Sequence, residues 1–242
     1  MVAAVPGKAI KDNYTISRRP MCSNYRPPAR EAFARLPIDP PSFDFGECYP
    51  GSLGPFLSSH KPDTWLPGTF GLIPHWAEPK LAKMTYNARS ETVAEKPSFR
   101  NAWRNRQFCV IPVQAFFEPN YESGKPVRWR IERADGQPFG LAGLWESRTA
   151  PDGTPTWSYS MLTINADEHP LMHRFHKPGD EKRSVVVLDD HAWQAWLGTD
   201  REEDPRHFLQ QFDPGQFHAI ADPRQSPRMK SASPPGLFPD PA

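Results

Sequence analysis

The sequence has no marked excess of either charge, few cysteines and no long apolar run. Its 29 basic and 28 acidic side chains nearly cancel, so any nucleic-acid site has to be a local basic patch. No apolar run approaches the roughly 18 residues that span a bilayer. The N-terminus also lacks the charged-then-apolar order of a signal peptide. We therefore expect a cytoplasmic protein without a membrane partner.

Metal and disulfide frameworks are also disfavoured. The three cysteines, Cys22, Cys48 and Cys109, are odd in number and include no Cys-x-x-Cys pair, which argues against disulfides and against a thiolate zinc site. Three histidines within residues 169–176 have spacings of four and three. Those spacings suit a metal site only on a helix, which the prolines at 170 and 178 discourage. We expect no metal and no cofactor.

Proline is abundant, with 30 residues, and its distribution marks the ends of the fold. Residues 1–20 are polar, lack a hydrophobic period and are interpreted as a leader or a misplaced start. Residues 213–242 are rich in proline and poor in apolar side chains, so we expect a disordered tail. Residues 21–212 then form a single domain, since one core suits this length.

Short β-branched or aromatic segments separated by turn sequences predict strands in the central region. The predicted strands cover residues 108–113, 127–131, 139–144, 159–164 and 184–188, and the predicted helices cover 98–106 and 190–197. This pattern indicates an α+β fold in which mainly antiparallel strands form a sheet or barrel with a few short helices.

Two segments carry side chains suited to nucleic acid. In the first, Asn87 to Glu91, the guanidinium of Arg89 can hold a phosphate through two hydrogen bonds; taken alone, such a segment is usually a solvated loop. In the second, residues 70–76, the indole of Trp76 can stack on an unpaired base. Packing of Trp76 in the core is the alternative for that side chain.

A carboxylate follows the hydrophobic segment that begins at Cys109. We interpret residues 109–118 as a strand that ends at Glu118, beside Phe116, Phe117 and Pro119. Partial removal of Glu118 from water suits its carboxylate to proton transfer. An ordinary surface position at a strand end is the alternative.

Together these segments resemble the SRAP family, the SOS-response-associated peptidase-like proteins that process abasic sites. The resemblance runs from about residue 21 to residue 197 and rests on six motifs in the family's order. They are MCSNY (21–25), FGLIPHW (70–76), NARSET (87–92), FCVIP with FFE (108–112 and 116–118), AGLWE (142–146) and RFH (174–176). The order of six motifs is far more specific than any one of them.

The resemblance implies a covalent reaction at Cys22. In the family, the α-amine and the thiol of an N-terminal cysteine attack the ring-opened aldehyde of an abasic deoxyribose, and a thiazolidine links the protein to DNA. A free α-amine has a pKa of about 7.7 to 8.0 and a thiol of about 8.5, so both are partly available at neutral pH. An internal cysteine offers only its thiol, since its nitrogen is an amide.

The resemblance also assigns roles to other residues. Asn87 holds the cysteine or the sugar, and Glu118 is the acidic catalytic residue that handles the proton of the α-amine. A histidine is the acid that opens the sugar ring, but here the family's His-x-Arg-Met-Pro pattern is altered. His173 and His176 are both candidates, and His176 is slightly favoured.

Arg89, Trp76 and Arg174 are the expected DNA contacts. The implied partner is single-stranded DNA that contains an abasic site, met at the nucleoid by a monomeric protein. These expectations follow from the resemblance, because the net charge of the chain favours no partner.

The chemistry at Cys22 depends on the residues before it. Either translation starts at Met21, which we favour, or a proteolytic step of the kind the family's peptidase label reflects exposes Cys22. Two other functions stay open: a thiol hydrolase or peptidase that uses Cys22, and a non-covalent binder of single strands that uses basic and aromatic side chains.

Overall fold

Strands dominate the structure. The computed structural model describes residues 23–33, 38–42, 44–150 and 152–224. Cys22, the expected leader over residues 1–20 and the end of the expected tail from residue 225 lie outside these ranges. Within them, no helix is long and apolar enough to cross a membrane.

The elements are short and are numbered in chain order. The helices are α1 (Arg30–Phe33), α2 (Arg100–Arg104) and α3 (Trp193–Gly198). The strands are β1 (Asn24–Arg26), β2 (Leu53–Ser58), β3 (Lys61–Phe70), β4 (Asn87–Arg89), β5 (Phe108–Val113), β6 (Ala115–Asn120), β7 (Val127–Arg133), β8 (Phe139–Thr149), β9 (Pro155–Asn165), β10 (Arg183–Val185), β11 (Val187–Leu188) and β12 (Phe217–Ala221). Short 3-10 helices cover Pro79–Met84, Met172–Arg174, Asp190–Ala192, Pro205–Phe208 and Pro214–Gln216.

Five strands close into a barrel. Their order is β9-β3-β2-β5-β8, and β8 pairs again with β9, which completes the ring. Only the β3–β9 contact within the ring is parallel. β4, β10 and β11 extend the barrel at its margins. The expected α+β class, with mainly antiparallel strands in a barrel and few short helices, is confirmed.

A second, fully antiparallel sheet packs against the barrel in the order β1-β6-β7-β12. It joins the barrel where β5 ends at Val113 and β6 begins at Ala115, with only Gln114 between. Apolar side chains of both sheets, Phe116 and Phe139 among them, share one core cluster. A second cluster lies between the barrel and the helices, where the rings of Phe108 and Trp196 stack with centroids 4.2 Å apart.

Most predicted elements exist, and their lengths differ from expectation. The strand predicted at 108–113 matches β5, while β7, β8 and β9 extend beyond the predicted ranges. The strand predicted at 184–188 is split between β10 and β11, because the chain changes partner at Val186: its amide still donates to Leu162 of β9, whereas its carbonyl accepts from Ala142 of β8. The helix predicted at 98–106 shortens to α2, which begins after Phe99 without a side-chain cap.

The expected disordered tail was wrong over residues 214–221. Asp213 accepts a hydrogen bond from the amide of Gly215 and so caps a short turn. Pro214 is tolerated at the start of that turn because no N–H is needed there. Phe217 then opens β12 and packs edge-on against the ring of Phe139, with centroids 5.1 Å apart. The proline-rich composition concealed a strand that completes the second sheet.

Candidate active site

Glu118 and His176 form a buried ion pair. The Nε2 atom of His176 lies 3.1 Å from Oε2 of Glu118, and their side chains are only 5% and 1% exposed. Within the described part of the chain, neither ring nitrogen nor this carboxylate oxygen has a well-aligned hydrogen bond. Buried polar groups are normally satisfied. These atoms therefore keep unused hydrogen-bonding capacity.

Strand β6 brings the two side chains together. We expected a single strand over residues 109–118 that ends at Glu118. This was wrong, because Glu118 lies inside a separate strand, β6, which pairs with β7. The amide of His176 donates to the carbonyl of Pro119 (3.0 Å), and Nδ2 of Asn120 donates to the carbonyl of Arg174 (3.2 Å). The segment that carries the histidine is thus tied to the end of β6.

The backbone of His176 has an unusual conformation. Its φ is +65°, in the left-handed region that non-glycine residues rarely adopt. The ammonium of Lys182 donates to the carbonyls of His176 (3.2 Å) and Lys177 (3.1 Å), and the amide of Lys182 donates to Asp167 (2.8 Å). These contacts hold the loop and aim the imidazole at Glu118. Strain of this kind concentrates at functional sites.

The environment of His176 favours its protonated form. Burial lowers the pKa of His176, but the carboxylate of Glu118 raises it by more, and the net pKa is above the ordinary value. The pair therefore joins a proton donor to a carboxylate in a site removed from water. This combination suits acid and base steps near neutral pH.

The other two histidines have structural contacts. His169 is buried; its Nδ1 accepts from the amides of Leu171 and Met172, and its Nε2 faces the carbonyl of Phe212 at 3.1 Å. Burial lowers the pKa of His169. His173 is exposed, with Nδ1 2.8 Å from the carbonyl of His169. Of the two histidine candidates, His176 is the one in contact with Glu118.

Strand β1 reaches the site from the N-terminal side. Asn24 pairs with Phe117, the residue before Glu118. Its Nδ2 donates to Oε1 of Glu47, which also accepts from the guanidinium of Arg128 (2.7 Å) and from the hydroxyl of Tyr49. The guanidinium of Arg128 also lies 3.5 Å from the ring centroid of Phe117. Glu47 thereby links β1 to β7.

Asn87 and Arg89 lie in the barrel rather than in the sheet of Glu118. Both belong to β4, which pairs with β9 at Met161 and Thr163. Asn87 is half-buried. The guanidinium of Arg89 is exposed and forms an ion pair with Glu181 at 2.7 Å. A surface pair of this kind is weak, so a phosphate can compete for Arg89.

The two remaining expected DNA contacts are accessible. Trp76 is 56% exposed, so its alternative placement in the core was wrong. Arg174 donates to both carboxylate oxygens of Glu122, at 2.9 and 3.2 Å, and its guanidinium lies 5.1 Å from the ring centroid of Trp129. Arg174 therefore has a carboxylate partner in this structure, whereas the indole of Trp76 is open to solvent.

Sequence reasoning missed Glu47 and Lys182. Glu47 meets Asn24 across 23 positions, and no period or motif relates the two. Lys182 follows His176 by six residues in a loop whose turn is set by the positive φ of the histidine. Lys182 could have been found by searching for charged residues close to the motifs. The contact of Glu47 with Asn24 could not, because it depends on how the strands pair.

A family model described as SOS response associated peptidase (SRAP) matches residues 39–222, three quarters of the chain. The chain belongs to this family. The resemblance seen in the motifs is thereby confirmed, although the matched range begins after Cys22. This chain is also similar to a Bordetella bronchiseptica protein of known crystal structure, which is 38% identical, with a TM-score of 0.76 over 83% of this chain and 99% of that one.

Two curated SRAP relatives carry names that state an activity. The abasic site processing protein YoqW of Bacillus subtilis is 32% identical over 155 residues, which cover 62% of this chain and 65% of that protein. The abasic site processing protein HMCES of Xenopus tropicalis is 30% identical over 151 residues, 53% of this chain and 43% of that protein. The chain thus spans less than two thirds of either relative.

Proposed function

We propose that this SRAP protein processes abasic sites in single-stranded DNA by covalent capture at Cys22. The buried Glu118–His176 pair, beside the strand that continues from Cys22, carries the proposal. The names of the curated relatives supply the substrate class. In this role the protein shields the lesion as a monomer at the nucleoid.

The proposed reaction joins both nucleophiles of Cys22 to one carbon. His176 donates a proton to the ring oxygen of the abasic sugar as the bond from that oxygen to C1′ breaks, and the C1′ hydroxyl releases its proton to solvent, which leaves the open-chain aldehyde. Glu118 accepts a proton from the α-ammonium, and the free amine condenses with the aldehyde to an imine and water. The thiol then adds to the imine carbon, and its proton moves to the nitrogen. The product is a thiazolidine.

Chain connectivity supports this assignment. Cys22 precedes Ser23 by one peptide bond, and Asn24 pairs with Phe117, directly before Glu118. Consecutive Cα atoms are about 3.8 Å apart, so the Cα atoms of Cys22 and Asn24 are at most about 7.6 Å apart. The reacting amine is therefore tethered within a short reach of the carboxylate.

The proposed DNA contacts use the exposed side chains near the motifs. Arg89 exchanges its partner Glu181 for a phosphate, Trp76 stacks on an unpaired base, and Arg174 contacts the backbone. Asn87 orients the cysteine or the sugar. The reaction requires a protein that lacks the residues up to Met21, through a translation start at Met21 or through autoproteolysis. A lyase-type step is part of the same proposed activity, since the intermediate is an imine.

The test uses protein expressed from Met21 and a single-stranded oligonucleotide with one abasic site. We expect a heat-stable shifted band on a denaturing gel that is lost in Cys22→Ala. Cys48→Ala is the matched control: burial raises the pKa of the Cys48 thiol to about 11, so it is a poor nucleophile and its removal leaves the band. A band that persists in Cys22→Ala contradicts the proposal.

The same assay distinguishes between the two histidine candidates and tests the alternative functions. We expect His176→Gln to slow adduct formation by about a hundredfold and the exposed His173→Gln to leave the rate within about twofold. Equal effects of the two substitutions contradict the role of His176. DNA binding without an adduct favours a non-covalent binder, and turnover of a small amide favours a thiol hydrolase.

A further inference from the structure

Arginines line a cleft on the side of the barrel that carries α2. The cleft has a volume of about 540 Å³ and lies between α2, the turn at Arg106 that follows it and the segment that follows α3. Its arginines are Arg100, Arg104, Arg106, Arg201 and Arg206. None of them belongs to the motifs assigned to the reaction, and none contacts Glu118 or His176.

Three of these guanidinium groups have no partner among the described residues. Across the described ranges, the side chains of Arg100, Arg104 and Arg201 make no ion pair or hydrogen bond, and all three are exposed. Arg106 donates to the carbonyls of Arg201 (3.3 Å) and Glu203 (2.7 Å), which engages its charge without neutralising it. Arginines usually find carboxylate or phosphate partners, so this group of side chains is arranged for an external anion.

The acidic side chains at the rim do not cancel this charge. Asp204 accepts from the amide and the guanidinium of Arg206, and Glu203 lies 3.5 Å from the ring nitrogen of His207. Glu202 is the third carboxylate of the lining. Once Arg206 is paired with Asp204, four guanidinium groups face two carboxylates. The cleft keeps a positive balance.

The floor of the cleft is aromatic and buried. The indole of Trp103 is buried, and the guanidinium of Arg206 lies 5.4 Å from its ring centroid. The backbone of Arg106 is fixed at a φ of +54° and its side chain bridges to the opposite wall. The basic side chains thus project from a fixed frame, which reduces the entropy lost when they bind a ligand.

We propose that this cleft binds phosphates of the DNA backbone at a site separate from the reacting sugar. The proposal rests on the proposed function in taking DNA as the ligand. Arginine binds phosphate through paired, charge-assisted hydrogen bonds, and single-stranded DNA presents its phosphates without a fixed groove. A second phosphate site holds the strand while the lesion is engaged at Cys22.

The test is the salt dependence of non-covalent binding. The full-length protein is titrated with single-stranded DNA that carries a tetrahydrofuran, an abasic analogue without an aldehyde, between about 50 and about 200 mM salt. We expect Arg100→Gln and Arg104→Gln each to reduce the slope of log K against log salt by about 0.7, the value of one phosphate contact on a single strand. Arg133→Gln is the matched control, because Asp135 and Asp190 already hold that guanidinium. It removes the same charge and leaves the slope unchanged.

Two results overturn the proposal. One is a slope that stays at the wild-type value in both cleft variants. The other is a slope that falls equally in Arg133→Gln, which assigns the effect to net charge. A duplex of the same length provides a further arm, and a loss of about 0.9 on duplex with none on the single strand overturns the assignment to single strands. Adduct formation by the wild-type protein is scored separately, so failure of the cleft and failure of the covalent reaction are distinguishable.

Discussion

The protonation of one buried histidine depends on a single neighbour. His176 and Glu118 are both almost fully enclosed, so each charge would be costly without the other. Burial and the carboxylate act on His176 in opposite directions, and the carboxylate dominates. An imidazolium is thereby kept in a place that would otherwise favour neutral imidazole.

We expect Glu118→Gln to lower the pKa of His176 below its ordinary value of about 6.5, because burial, the largest cause, and the charge of Lys182 then lower it against Asp180 alone. An NMR titration of the imidazole in both proteins measures this shift directly. The raised pKa also means that the pair stabilises the wild-type fold below about pH 6.5, and that this contribution is lost as the pH rises through the folded pKa. A pKa that rises or stays constant in Glu118→Gln contradicts the assigned cause.

At the residue scale, the sequence pointed to Glu118 as a candidate site residue but did not decide between His173 and His176. The family motif pointed to the glutamate, but an isolated sequence does not reveal whether a strand residue is 1% or 50% exposed. His176 contacts Glu118 and His173 does not, and that contact is set by the positive φ of His176 and by the bond from its amide to Pro119. Neither feature leaves a mark in residue type or spacing.

Strand β1 has only three residues, and its position depends on contacts beyond its own ladder. Glu47 accepts hydrogen bonds from Asn24 on β1 and from Arg128 on β7, so one carboxylate joins two strands of the sheet. On the opposite side, the hydroxyls of Tyr25 and Tyr159 meet inside the barrel. The strand that leads to Cys22 is therefore held from both sides.

We expect Glu47→Ala to slow adduct formation about ten- to a hundredfold, since a small displacement of a reacting group has effects of this order. Glu47→Gln keeps an oxygen that accepts from Asn24 and should retain most of the rate. Single-turnover kinetics measure both variants, and affinity for the tetrahydrofuran analogue should stay within about twofold. Equal rates in Glu47→Ala and the wild type would show that β1 needs no such support.

The second sheet depends on a strand near the end of the described chain. Phe217 of β12 is buried against Phe139 and Phe212, with ring centroids 5.1 and 4.5 Å away. Removing a buried phenyl group leaves a cavity and costs about 3 to 5 kcal/mol. The integrity of the whole domain therefore extends past residue 212.

We expect Phe217→Ala to lower the free energy of unfolding by about 3 kcal/mol and the Tm by about 6 to 12 °C. Ile220→Ala on the same strand is the control, because Ile220 is 43% exposed and its loss should cost at most about 0.5 kcal/mol. Thermal and denaturant unfolding measure both variants. Similar losses in the two variants would place Phe217 outside the cooperative core.

At the scale of the molecule, the sequence predicted the class and missed much of the topology. β5 could be read despite Pro112 because its other residues are all apolar, whereas β2 and β3 carry a glycine next to Pro55 and Pro67, a combination typical of turns. The closure of the barrel combines the local β8–β9 hairpin with the β3–β9 and β2–β5 pairings, which join segments far apart in the chain. Such pairings depend on the register between distant segments, which composition and local pattern do not encode.

The anchorage of β1 has a mechanical consequence for a protein joined to DNA through Cys22. β1 runs antiparallel to β6, and Tyr25 is fully buried in the barrel. Tension applied to the DNA along the strand axis would load the ladder bonds of β1 together, as shear, instead of opening them one after another. A motor protein that moves along the DNA would then have to pull the side chain of Tyr25 out of the core before β1 could detach from the sheet.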